Sequence, residues 1–169
     1  VGDPSAVHRG GRFFQLADVL GVDKELGFTL STDKYFKDAL DTHFITEDRT
    51  GCFDFGESRH DIYALSASTE IIEYSDNEVH LAANAYGRGR GVYIAGLPYS
   101  YENTRLLMRA LYFAAHKEES FLRWYADNVN CEVNAYPESG KYAILNNSNE
   151  EQTTDFYDGE GTCERLTLR

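Results

Sequence analysis

One succession of residues restricts the architecture of this chain more than any other. An apolar run, Gly91-Val92-Tyr93-Ile94-Ala95-Gly96, leads into residues 101–116, where Leu106, Leu107, Ala110, Leu111, Phe113 and Ala114 recur at three- and four-residue intervals. The first segment lacks alternation, as a strand covered on both faces should. The second has the period of an amphipathic helix. A strand followed by a long helix is α/β grammar, so the segment predicts an α/β fold, with a further helix over residues 118–126. The chain has 169 residues, 42% of them hydrophobic, enough for one core or one core plus a short appendage.

Elsewhere the pattern is less regular. Apolar residues at 13, 16, 17 and 20 predict a short helix over residues 12–20, stopped by Gly21. Residues 29–59 are polar and turn-rich, with His43-Phe44-Ile45-Thr46 a candidate short strand and residues 47–51 a turn. Residues 69–74 and 79–86 are strand-like and joined by a polar turn at 75–78. Composition then shifts near Asn128: residues 132–136, 142–146 and the tail from Thr153 alternate between Ser139-Gly140 and Asp158-Gly159-Glu160-Gly161 turns, which predicts strands. The expected organisation is therefore an α/β portion over 1–127 and the start of a β-domain over 128–169. The ~40 residues of the latter are few for an independent β-domain, so the chain is expected to stop inside it. It begins at Val1, and Val1-Gly2-Asp3-Pro4-Ser5 reads as a turn with no strand before it, so a preceding portion is expected as well.

Charge and composition narrow the partners. The formal charge of −12 repels a phosphate backbone, which argues against nucleic acid. No apolar run approaches the ~20 residues of a membrane span, and the N-terminal residues have no signal-peptide core. Cys52, Cys131 and Cys163 are odd in number and lack a C-x-x-C pair, which argues against a disulfide framework or zinc ribbon and fits a reducing, cytoplasmic setting.

Candidate chemistry is sparse. Gly87, Gly89 and Gly91 with Arg88 and Arg90 suggest a phosphate cradle, but a strand follows instead of a helix N-terminus, so a strand-to-strand turn with solvated arginines is the better reading. His8, His43, His60, His80 and His116 form no H-x-H or H-E-x-x-H pair, and no metal site is expected. His80 and His116 read as structural; His43 and His60 are weak ligand candidates. Glu47, Asp48, Asp54 and Glu57 form an acidic loop cluster without EF-hand spacing, read as a solvated face. Ser5 is not in a G-x-S-x-G elbow. Asn146-Asn147-Ser148 is a sequon that means little without a secretion signal. Trp124, beside Phe121, Leu122 and Tyr125, is a candidate sugar platform but reads more simply as packing. No catalytic, binding or metal residue can be assigned from these patterns.

The strings GRFFQLADVLGVDKELGFTLSTDKY (from Gly11), HFITED, VYIAGLPYSYENTRLLMRAL and GKYAILNN, in this order, resemble the 1,3-β-galactosyl-N-acetylhexosamine (lacto-N-biose) phosphorylases along nearly the whole chain. A neighbouring family acting on galactosyl-rhamnose is similar. The resemblance implies a parent with a TIM barrel, a central amidotransferase-like domain and a C-terminal β-domain. This chain would hold part of a flavodoxin-like three-layer domain (1–127) and the beginning of an all-β domain (128–169). It further implies inverting phosphorolysis of a galactosyl-N-acetylhexosamine to α-galactose 1-phosphate. A barrel carboxylic acid protonates the glycosidic oxygen and inorganic phosphate is the co-substrate, with no cofactor and a homodimer as the expected assembly. That acid maps to no residue here, so this portion is expected to be non-catalytic. The amidotransferase likeness lacks its histidine, because Leu97-Pro98-Tyr99-Ser100-Tyr101-Glu102 stands where a His-Pro-Glu turn would be, and glutamine hydrolysis is not expected. The alternative is a stand-alone sugar-binding or interaction module.

Overall fold

The computed structural model describes residues 13–25, 38–49, 51–57, 60–76 and 78–169. The N-terminal turn at 1–5, Ser5, His8, Gly11 and Arg12 lie outside the described residues, as do parts of the polar 29–59 stretch and Asn77. The described chain contains three α-helices, α1 (Ala17–Leu20), α2 (Tyr101–Ala114) and α3 (Glu118–Phe121). It contains ten strands: β1 (Val22–Lys24), β2 (Ile62–Ala64), β3 (Glu70–Ser75), β4 (Glu78–Tyr86), β5 (Gly89–Ile94), β6 (Tyr125–Ala126), β7 (Cys131–Tyr136), β8 (Lys141–Asn146), β9 (Gln152–Tyr157) and β10 (Cys163–Leu168).

These elements form two compact units, Val1–Glu47 with Cys52–Pro98, and Asp48–Gly51 with Tyr99–Arg169. In the first unit, β3, β4 and β5 make an antiparallel meander and β1 pairs antiparallel with β2. Phe14, Ala17, Val22, Ile62, Ala64, Ile71, Val79, Ala82 and Tyr93 form its core. β4 is buried over most of its length because neighbours flank it on both edges and α1 lies against it.

The seat of α1 rests on missing side-chain atoms and on one amide. A Cβ at Gly91 of β5 would lie 2.1 Å from the Val19 carbonyl oxygen, so only glycine lets the helix approach this closely. Gly21 ends the helix at φ 73, the left-handed conformation that stops helices with free carbonyls. Asn84 Nδ2 on β4 donates to two of those carbonyls, Asp18 at 3.0 Å and Val19 at 3.3 Å. Asp23, 1% exposed, accepts from the backbone N–H groups of Phe13, Phe14 and Lys24, which satisfies a carboxylate that burial alone would penalise.

In the second unit, Ser100 caps α2 by accepting from the N–H of Asn103 at 3.0 Å. β6, β9 and β10 form one antiparallel sheet and β7 with β8 a hairpin. The turn between β9 and β10 is pinned by Asp158, whose Oδ1 accepts from Glu160 and Thr162 N–H, both at 2.8 Å. These hydrogen bonds favour the anion and lower its pKa.

The three-layer α/β arrangement expected from the strand-helix succession, and from the amidotransferase likeness, is absent among the described residues. Every described strand pair is antiparallel. A doubly wound sheet needs the helix after β5 to carry the chain back to a parallel strand. Instead α2 leads into α3 and the antiparallel strands of its own unit. Other local expectations also change. The helix at 12–20 shrinks to Ala17–Leu20, that at 118–126 to Glu118–Phe121, and residues 44–46 form a 3₁₀ turn capped by His43 instead of a strand. Gly87-Arg88 does make the tight β4–β5 turn, with Gly87 at φ 59 and Arg88 exposed.

Two glycine substitutions separate packing from backbone strain. Gly91→Ala is expected to lower the unfolding free energy by about 2–3 kcal/mol through overpacking against α1. Gly87→Ala, where nothing lies within 4 Å, should cost about 1 kcal/mol from its positive φ alone. Urea unfolding of the two variants measures the difference, and equal losses would refute the close-approach account.

Candidate functional site

The inner face of α2 places two arginines one helical turn apart, Arg105 and Arg109, and a guanidinium cannot shed its charge on burial. Arg109 is 2% exposed. Both meet Asp48: Nη1 of each lies 3.3 Å from Oδ2. The Tyr125 hydroxyl donates to the same oxygen at 2.6 Å and accepts from Arg105 Nη1 at 2.6 Å. Arg105 also donates to the carbonyls of Ala126 at 2.9 Å and Asp127 at 3.0 Å, so it ties the helix to the first residues of the sheet. The guanidinium carbons stand 4.9 Å from the Tyr125 ring centroid (Arg105) and 4.8 Å from that of Phe121 (Arg109), a cation–π geometry. Burial, and then the hydrogen bond to Asp48, hold the Tyr125 phenol well above its ordinary value of 10.0.

Beside this cluster lies a cleft of about 440 Å³ whose walls include Tyr101, Tyr112, Arg123, Trp124, Glu132 and Asn147. Trp124 takes φ 54, rare for a bulky residue. The absent side chain of Gly159 gives it room: a Cβ there would be 2.5 Å from the indole. Tyr142 tilts against its ring at 5.9 Å. On the rim, Glu132 accepts from Asn147 Nδ2 at 3.2 Å and from Asn134 Nδ2 at 3.2 Å.

The residues singled out in sequence are scattered. His43 Nδ1 accepts from Ile45 N–H at 3.1 Å and its Nε2 lies 3.7 Å from Glu70, so it is a cap. His60 is exposed and 3.5 Å from Glu78. His80 is buried and stacked on Phe55 with centroids 5.0 Å apart. His116 stands just past α2 at φ 55. Among the described residues no three His, Cys, Asp or Glu side chains converge as metal ligands. No described helix is long and apolar enough to cross a membrane. The acidic loop cluster separates: Asp54 closes a turn by accepting from Gly56 N–H at 2.7 Å, Glu57 is exposed, and Asp48 turns inward to the arginines. The solvated-face reading therefore fails for Asp48. Its partner Arg105 is 57 residues away, and no local spacing links them. Asn146 of the sequon holds its own loop together, donating to Glu150 O at 2.7 Å.

Comparison with known proteins matches the lacto-N-biose phosphorylase central domain over residues 1–119 and the lacto-N-biose phosphorylase C-terminal domain over residues 124–169. Two 1,3-beta-galactosyl-N-acetylhexosamine phosphorylases of Lachnoclostridium phytofermentans are 50% and 46% identical over 100% and 99% of the chain. One from Bifidobacterium longum is 40% identical over 99%. The chain spans about a quarter of these relatives' lengths, 23%, 23% and 27% respectively.

Two measurements test the cluster. Asp48→Asn should destabilise the chain by about 3 kcal/mol, because it leaves two enclosed guanidiniums without their carboxylate. A raised phenol pKa stabilises the fold below the ordinary tyrosine value, and that stability is lost as pH rises from 10.0 toward the higher folded value. Urea unfolding at pH 8 and pH 10.5 should therefore show a larger loss in the unmodified chain than in Tyr125→Phe, and equal losses would contradict the buried-phenol geometry.

Proposed function

The chain belongs to the lacto-N-biose phosphorylase family, and on that premise we propose that it is a portion of an enzyme that splits β-1,3-galactosyl-N-acetylhexosamines with inorganic phosphate. The products are α-galactose 1-phosphate and the N-acetylhexosamine. The observation that carries this reading is identity of 46–50% from one end of the chain to the other. Similarity this long does not arise from a shared short motif.

Within that enzyme we assign these residues a supporting role. Inverting phosphorolysis needs one carboxylic acid at the glycosidic oxygen, since phosphate takes the place of the activated water. Among the described residues the enclosed carboxylates are otherwise engaged, Glu78 by the N–H groups of Asp61 and Ile62. Asp23 is surrounded by backbone N–H donors, and Asp48 by two guanidiniums and a phenol. Neither lines the cleft. Glu132, which does, is exposed and bonded to two asparagines.

The test is phosphorolysis by the full-length parent and by this chain alone. With lacto-N-biose, galacto-N-biose and phosphate, the parent should release galactose 1-phosphate and the chain alone none. A parent that leaves both disaccharides intact would sink the reading, and turnover by the chain alone would sink the supporting role.

A further inference from the structure

The cleft of the second unit carries chemistry that the supporting role does not use. Its charges nearly cancel. Arg105 is engaged by Asp48, Tyr125 and backbone carbonyls, which leaves Arg123 and Glu132 as one charge of each sign at the opening. An anion gains little there, whereas a neutral ligand rich in hydroxyls is not penalised.

The available polar groups fit such a ligand. Among the described residues, neither the Trp124 indole N–H nor the Arg123 guanidinium has a hydrogen-bond partner, so both are donors in waiting. Glu132 and Asn147 are held to each other at 3.2 Å, a carboxylate and an amide oriented before any ligand arrives. Planar groups of this kind pair with vicinal hydroxyls two at a time.

The apolar walls fit the other half of a sugar. A pyranose ring presents a flat face of C–H groups, which packs on an aromatic face, and Trp124 is held in place by Gly159 and Tyr142. Tyr101 and Tyr112 supply further aromatic surface from α2. A platform that is already rigid loses little entropy on binding. A cleft of about 440 Å³ lies at the small end of ligand pockets, the size of a mono- or disaccharide. The backbone of Trp124, at φ 54, is the kind of strain that persists where a side chain must be aimed.

We propose that the Trp124 cleft is a binding site for a neutral pyranose sugar, stacked on Trp124 and Tyr101 and hydrogen-bonded by Arg123, Glu132 and Asn147. It rests on this chain's own residues, so its failure and that of the phosphorylase reading are separate outcomes.

Trp124 is the single tryptophan, so its emission reports on the cleft alone. The 169-residue chain is titrated with galactose, N-acetylglucosamine and lacto-N-biose, and in a separate arm with inorganic phosphate. A saturable change with a dissociation constant of ~1–10 mM is expected for at least one sugar. It should weaken about fivefold or more in Tyr101→Ala and Arg123→Ala, two exposed positions at which the circular dichroism spectrum is expected to stay unchanged. No saturable response to any of the three sugars, saturation by phosphate alone, or an affinity in both variants unchanged from that of the unmodified chain would overturn the proposal.

Discussion

Burying Arg109 on the inner face of α2 sets a condition that the rest of the second unit meets. A guanidinium keeps its charge at any accessible pH, so it must find a carboxylate and enough acceptors, or the helix face must turn outward. Asp48 provides the charge, and Phe121 provides a ring face against the guanidinium. Arg105, one turn away, shares the carboxylate and spends its remaining donors on the carbonyls at the start of the sheet. Tyr125 sits between them, donating to Asp48 and accepting from Arg105. One cluster thereby links the short Asp48–Gly51 segment, the long helix and β6. Because α2 and the residues after Phe121 are held this way, Trp124 and the tyrosines of α2 border the same cleft.

The first unit meets a different constraint, the close seating of a four-residue helix on a sheet. So short a helix has almost no stability of its own. It persists because Gly91 removes the side chain that would keep it away and the Asn84 amide donates to its terminal carbonyls. Gly21 turns the chain directly into β1, and Asp23 then gathers the N–H groups of Phe13 and Phe14. Within the string that marks the family resemblance, helix, stop and strand are thus tied to the meander through one glycine, one amide and one carboxylate.

Much of the local structure is legible in the chain. The period of residues 101–116 identifies α2, and strand-like runs at 69–74 and 79–86 identify β3 and β4. Glycine spacing marks the β4–β5 turn. Short elements escape, because three residues such as Val22–Lys24 or Ile62–Ala64 are too few to display a period and form only by pairing with each other. Trp124 illustrates the same limit. Its neighbours suggest a buried helix, yet the helix stops at Phe121 and the left-handed backbone at Trp124 turns its ring to the cleft wall.

Residue order alone carries the family, the acidic charge and the periodic elements, since these depend on contiguous residues and on side-chain identity. It does not carry sheet direction. The run from Gly91 to Gly96 has the same apolar character whether its neighbours run parallel or antiparallel, and only the folded chain, where β4 pairs with β5 antiparallel, excludes the doubly wound arrangement. Nor does it carry the fate of a charge: Asp48 and Asp54 look alike in an acidic loop, but one closes a turn and the other neutralises two arginines. The reason is the same in both cases. Pairing and burial are relations between distant residues, and they come into existence only when the chain closes on itself.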